Sequence, residues 1–129
     1  DSYQDQPELM PEQLQDGLIY RIKEYISQNL EGDLNRETIA DQVFLNAAYL
    51  SRLFHKETGE KLSDYILRLR MERAKDLLTS TSEKVTSIAQ RLGYNNDSYF
   101  IKTFRGMVGV TPYEYRKQAH NSRKKEVTL

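Results

Sequence analysis

A weak internal repeat of about fifty residues constrains this chain more than any other feature of its sequence. Leu50, Arg52, Phe54, Gly59 and Tyr65 each have a counterpart of compatible chemistry fifty residues later, in Phe100, Lys102, Phe104, Gly109 and Tyr115. Ala40 pairs with Ala89 at a spacing of forty-nine, which puts a one-residue length difference into the turn that follows each alanine. A small residue before a tight turn is what close packing of two short helices demands, so each repeat reads as one helix-turn-helix unit. The competing account is a bundle of six or seven helices whose similar packing alone produces the spacing.

Hydrophobic periodicity supplies the helices around these units. Leu18, Ile19, Ile22, Tyr25, Ile26 and Leu30 recur at three to four residues and mark an amphipathic helix from Gln13. Asn35 can cap a short second helix carrying Ile39, Ala40 and Val43, which breaks at Phe44-Leu45. Asn46 can cap the next, whose inward face is Leu50, Leu53 and Phe54 and whose stop is Gly59. A longer helix follows from Leu62 to about Leu78. The second repeat then uses Val85, Ile88, Ala89 and Leu92, a turn at Gly93-Tyr94-Asn95, and a helix capped by Asn96 with Phe100, Phe104 and Met107 on its core face. Tyr94 and Tyr99 are expected to pack as well. Thr111 and Glu114 have capping-box spacing, and Pro112 suits the first helical position. The expected fold is all-α, about seven helices, with two helix-turn-helix subdomains joined by a long connecting helix. The boundaries are a linker or disordered terminus over 1–12, a first unit over 13–61, the connecting helix over 62–81, a second unit over 82–120 and a disordered tail over 121–129.

Composition narrows the function classes. The chain has no cysteine, which removes thiolate catalysis, thiol redox chemistry and cysteine-based zinc sites, and permits a cytoplasmic setting. No run of eighteen apolar residues and no charged-then-apolar leader is present, so neither a membrane contact nor a signal peptide is expected of this segment. A start at Asp1 suggests a piece cut from a longer protein or a processed chain, with a partner domain missing. The formal net charge is zero, but its distribution is uneven. Residues 1–33 hold eight acids against two bases, Arg21 and Lys23, so residues 34–129 carry a net +6. Local field rather than total charge attracts phosphate.

Residues 85–116, VTSIAQRLGYNNDSYFIKTFRGMVGVTPYEYR, resemble the signature region of AraC/XylS-family transcription regulators. The resemblance rests on an alanine, a glycine followed by an aromatic, the pair Tyr99-Phe100, a basic-rich helix, Gly109, Thr111-Pro112 and Tyr115-Arg116. Ile39-Ala40, Tyr49 to Phe54 and Gly59 resemble the family's other half, so the likeness covers about residues 16–118. It implies sequence-specific binding of double-stranded DNA by a bacterial regulator, often an activator contacting RNA polymerase and controlled by another domain.

In a helix-turn-helix the second helix enters the major groove and its exposed face meets base edges. Two such helices are expected, over about 46–58 and 96–108. On the first, Ala48, Ser51, Arg52 and His55 stand at i, i+3, i+4 and i+7, opposite Leu50, Leu53 and Phe54. Arg52 can donate two hydrogen bonds to one guanine, Ser51 can donate or accept, and Ala48 can meet a thymine methyl. A phosphate contact is the other role open to Arg52. On the second, Ser98, Ile101, Lys102 and Arg105 repeat that spacing, with Lys102 in the place of Arg52; Ile101 can meet a thymine methyl, although single exposed apolar residues are common. Asp97 can accept from a cytosine amino group or stabilise its own helix N-terminus. Lys56, Arg105 and Thr111 are the expected phosphate contacts. The connecting helix spans roughly 25 Å at about 1.5 Å per residue, which with its turns would set the two faces near one DNA turn apart on an asymmetric site.

Two other classes compete. An enzyme is disfavoured because His55 and His120 are the only histidines, neither lies in a metal-ligand spacing, and no glycine-rich phosphate loop follows a strand. No catalytic residue, metal or cofactor is expected. A helical protein-interaction module would use the same apolar faces without specific DNA reading, and a steep salt dependence of duplex binding separates the two.

Overall fold

The repeat reappears in the lengths of the helices. A computed structural model describes residues 11–127, with side chains through residue 123. Its described residues form seven helices and no strand: α1 (Glu12–Gln28), α2 (Arg36–Gln42), α3 (Ala47–Thr58), α4 (Leu62–Ser80), α5 (Val85–Arg91), α6 (Asp97–Val108) and α7 (Pro112–Val127). Helices α2 and α5 have seven residues each, and α3 and α6 have twelve each. No described helix is long and apolar enough to cross a membrane. Residues 1–10 of the expected linker lie outside the described residues. The tail expected to be disordered from Asn121 is helical through Val127, because it simply continues α7.

The capping residues act as their chemistry predicts. Asn35 accepts from the Thr38 N–H at 2.9 Å while the Thr38 hydroxyl accepts from the Asn35 N–H at 3.2 Å, a reciprocal box at the start of α2. Asn46 accepts from Tyr49 N–H at 2.8 Å, and Asn96 from Tyr99 N–H at 2.9 Å. At the other ends Gly59 (φ +76°) and Gly109 (φ +99°) take left-handed backbone, and each donates its N–H back into its helix at 2.8 Å, to His55 and Arg105. The Thr111–Glu114 box opens α7 as expected.

The chain divides into two compact units, with the boundary inside α4 at Leu69/Arg70. In unit 1 the core is Ile22 and Ile26 of α1, Leu34, then Ile39, Ala40, Val43, Leu50 and Phe54 of the helix pair, closed by Leu62 and Ile66 of α4. A second cluster, Tyr49 and Leu53, is covered by Leu18 and Ile19 of α1 and by Leu45. Tyr65 meets Phe54 edge-on at 5.1 Å. Its ring also lies against Lys23 and Arg68, with Arg68 in turn paired to Glu60 at 3.0 Å.

Unit 2 buries Met71, Ala74, Leu77 and Leu78 of α4 with Val85, Ile88, Ala89, Leu92, Phe100 and Phe104. Tyr115 meets Phe104 edge-on at 5.7 Å, repeating the Phe54–Tyr65 contact. Arg116 ties α7 to the end of α4 by donating Nε–H to the Leu78 carbonyl at 2.9 Å. Two packing expectations fail here. Tyr99 is 61% exposed and Met107 is 47% exposed, whereas Tyr49, fifty residues before Tyr99, is wholly buried. The difference is α1, whose Leu18 and Ile19 cover Tyr49 and Leu53 in unit 1. At the position matching Leu53 unit 2 has Thr103, a polar residue suited to a face left half open.

Candidate nucleic-acid interface

Each unit holds its second helix against its first through one turn. In unit 1 Leu45 N–H donates to the Ala40 carbonyl at 3.0 Å, and in unit 2 Tyr94 N–H donates to the Ala89 carbonyl, also at 3.0 Å. The residue before each donor is left-handed: Phe44 at φ +59° and Gly93 at φ +86°. The turns therefore match residue for residue up to Leu45 and Tyr94. The extra residue of unit 2 is Asn95, inserted before the cap Asn96. Ala40 and Ala89 are both buried, as close approach of the paired helices requires.

With the core faces of α3 and α6 turned inward, the opposite faces are set by helical spacing alone. On α3, Ala48, Arg52 and His55 are exposed and Ser51 is half-buried. On α6, Ser98, Lys102 and Arg105 are exposed. Ile101, expected on the exposed side, is half-buried, so part of its surface is already removed from water. Each face thus carries a long cation at the same place, Arg52 and Lys102, preceded one turn earlier by a small residue, Ala48 on α3 and Ser98 on α6.

Of the remaining expected contacts, Lys56 and Thr111 are engaged locally. Lys56 donates to Gln15 Oε1 of α1 at 3.2 Å and pairs with Glu57 at 3.3 Å, so its ammonium is directed toward its own unit. The Thr111 N–H donates to Glu114 at 2.9 Å, and its hydroxyl accepts from the Glu114 N–H at 3.1 Å. Hydrogen bonding to its carboxyl by Thr111, from the backbone N–H first and the side chain second, holds Glu114 below its ordinary value. Asp97 is the first residue of α6, where a carboxylate favours the helix N-terminus. Its Oδ1 is shielded and accepts from no donor among the described residues. Tyr99, expected to pack, instead has an exposed ring 6.0 Å from that of Tyr94 beside the start of α6.

Comparison with known proteins agrees with this geometry. A model of the helix-turn-helix domain family matches residues 39–118, which takes in both helix pairs and the start of α7. Multiple antibiotic resistance protein MarA of Escherichia coli is 31% identical over 98 residues, 76% of this chain and 77% of MarA. A transcriptional regulator of Chromobacterium violaceum, described as containing an AraC-type DNA-binding domain, is 31% identical with a TM-score of 0.74, over 81% of this chain and 93% of that one. The DNA-binding domain of the transcriptional factor AdpA, solved in complex with a target DNA, shares the fold at 22% identity, with a TM-score of 0.76 over 82% of this chain and 96% of that one. Four other curated bacterial relatives, 34–40% identical, are much longer, and this chain spans 12–37% of their lengths. On the duplicated helix pairs and these matches, the chain belongs to the AraC-type family of helix-turn-helix DNA-binding domains.

Proposed function

We propose that this chain reads a specific, asymmetric duplex site by inserting both α3 and α6 into the major groove, as the DNA-binding part of a bacterial transcription regulator. The observation that carries the reading is the duplicated exposed face: Ala48, Ser51, Arg52 and His55 on α3, and Ser98, Ile101, Lys102 and Arg105 on α6. The two faces have the same spacing but different side chains, so the half-sites they recognise differ. Arg52 is the guanine reader, with Ser51 and Ala48 beside it; Lys102 takes the same role on α6. Ile101 meets a thymine methyl with the surface it keeps exposed. Arg105 and the hydroxyl of Thr111 contact phosphates, as does Lys56 once it leaves its local partners. Asp97 has its main role at the N-terminus of α6. The target-DNA complex of AdpA supports duplex DNA as the partner. The greater length of four relatives supports a regulatory domain joined to this one in the intact protein. RNA polymerase is the further partner of a cytoplasmic activator of this kind, and no catalysis or cofactor enters the reading.

Selection of the purified chain against random duplexes at physiological salt tests it. Two non-identical short boxes are expected among the enriched sequences. One box alone would leave a single unit as reader and the other as a phosphate clamp. No enrichment would overturn the reading in favour of a protein-interaction module.

A further inference from the structure

Away from the faces of α3 and α6, unit 2 carries a groove between the end of α4 and one side of α7. It consists of two open clefts of about 390 and 360 Å³ that share Ser82 and Arg116. Arg116, His120 and Arg123 lie at i, i+4 and i+7 along α7 and line one wall, and Lys84 enters from the segment before α5. No carboxylate lines either cleft. In a chain with equal numbers of acids and bases, this places one sign of charge in a concave surface.

The far wall is the C-terminal end of α4, which would ordinarily repel an anion through its last carbonyls. Here the Leu77 and Leu78 carbonyls are already engaged, and the hydroxyls of the last turn are directed back into the helix. Thr79 donates to the Lys75 carbonyl at 3.0 Å, Ser80 to that of Asp76 at 2.6 Å and Thr81 to that of Leu77 at 2.6 Å. Arg116 donates to the carbonyls of Leu78 at 2.9 Å and Thr81 at 3.4 Å, which fixes its guanidinium in the wall. The side chains of Ser82, Lys84, His120 and Arg123, by contrast, have no hydrogen bond or ion pair with another described residue. Donors are left over on the groove side, and two of the carbonyls behind them, Leu77 and Leu78, are engaged.

We propose that this groove binds a phosphate group. Arg123 and Lys84 supply charge-assisted donors, His120 and Ser82 supply shorter ones, and the anchored Arg116 keeps the wall positive. The phosphate belongs either to a free small phosphorylated molecule, for which the clefts have a suitable volume, or to the backbone of a bound duplex. The first source does not depend on the proposed DNA reading, and the second rests on it.

Amide NMR of the 129-residue chain decides between these sources. In the first arm, inorganic phosphate is titrated against chloride at constant ionic strength. Saturable shifts confined to residues 79–86 and 113–123, weakened about tenfold or more in the Lys84→Gln/Arg123→Gln variant, support the proposal with a free anion. In the second arm, a selected duplex is added in phosphate-free buffer. Shifts at those residues that need the duplex, with a log–log salt slope reduced by about two in the variant, support it with the DNA backbone. Shifts spread over basic residues of both units without saturation, with the groove unmoved by duplex, would overturn it, as would equal shifts in the variant. Circular dichroism checks that the variant folds; both substitutions are at exposed sites. Should no duplex bind the wild-type chain, the DNA reading fails on its own, and the phosphate arm still decides the groove.

Discussion

The guanidinium of Arg70 lies 3.3 Å from the point where a β-carbon on Gly93 would stand. Gly93 is the left-handed residue of the turn between α5 and α6, so two independent constraints fall on one position. Burial pushes the neighbouring Tyr94 hydroxyl up and the Arg70 guanidinium down, the mark of a cation packed into the turn. Gly93→Ala is therefore expected to cost about 2 kcal/mol, from left-handed strain together with contact against Arg70. Urea denaturation reads this directly, and a loss below about 0.5 kcal/mol would mean that the turn is not held as described.

The equivalent position in unit 1 predicts the opposite sign. Phe44 adopts φ +59° while its side chain is 84% exposed, so it bears backbone strain with little burial in return. Phe44→Asn should raise stability by about 0.5–1 kcal/mol, since asparagine tolerates the left-handed region far better. Destabilisation by this substitution would show that the ring is packed in solution.

Arg52 and Lys102 are the matched cations of the two exposed faces. Arg52→Ala and Lys102→Ala should each weaken specific binding by about 1–3 kcal/mol and relax preference in a different box. Helix content should stay the same, because neither residue belongs to the core. If both variants lose affinity equally for all sequences, the two side chains contact phosphates and not bases.

The capping box of α7 gives a pH dependence with a defined sign. Glu114 accepts from Thr111, and this holds its carboxyl below the ordinary 4.5. A lowered folded value means that the contribution is present above the ordinary value and is lost as pH falls through the folded one. The Thr111 amide resonance should titrate with a midpoint below 4.5, and Glu114→Gln should abolish that titration. A midpoint at or above 4.5 rules out the bond in solution.

What the sequence determined by itself is local or periodic. Helix phases follow from apolar spacing, the starts of α2, α3, α6 and α7 follow from Asn35, Asn46, Asn96 and Thr111, and the stops of α3 and α6 follow from Gly59 and Gly109. The fifty-residue spacing of Phe54 and Phe104 contained the duplication, because the same ring contact with Tyr65 and Tyr115 has to be built twice. Only the tertiary structure decided which apolar residues are covered. Tyr49 and Tyr99 are the same residue at matching places, yet one is buried and the other exposed, because α1 packs on unit 1 and contributes Leu18 and Ile19 to it. The same holds for charge: Lys56 and Lys102 both read as contacts, but a partner forty-one residues away, Gln15, engages the first. Capping and periodicity act over one or two turns of chain, whereas burial and side-chain pairing are set by elements distant in sequence, and no local pattern records them.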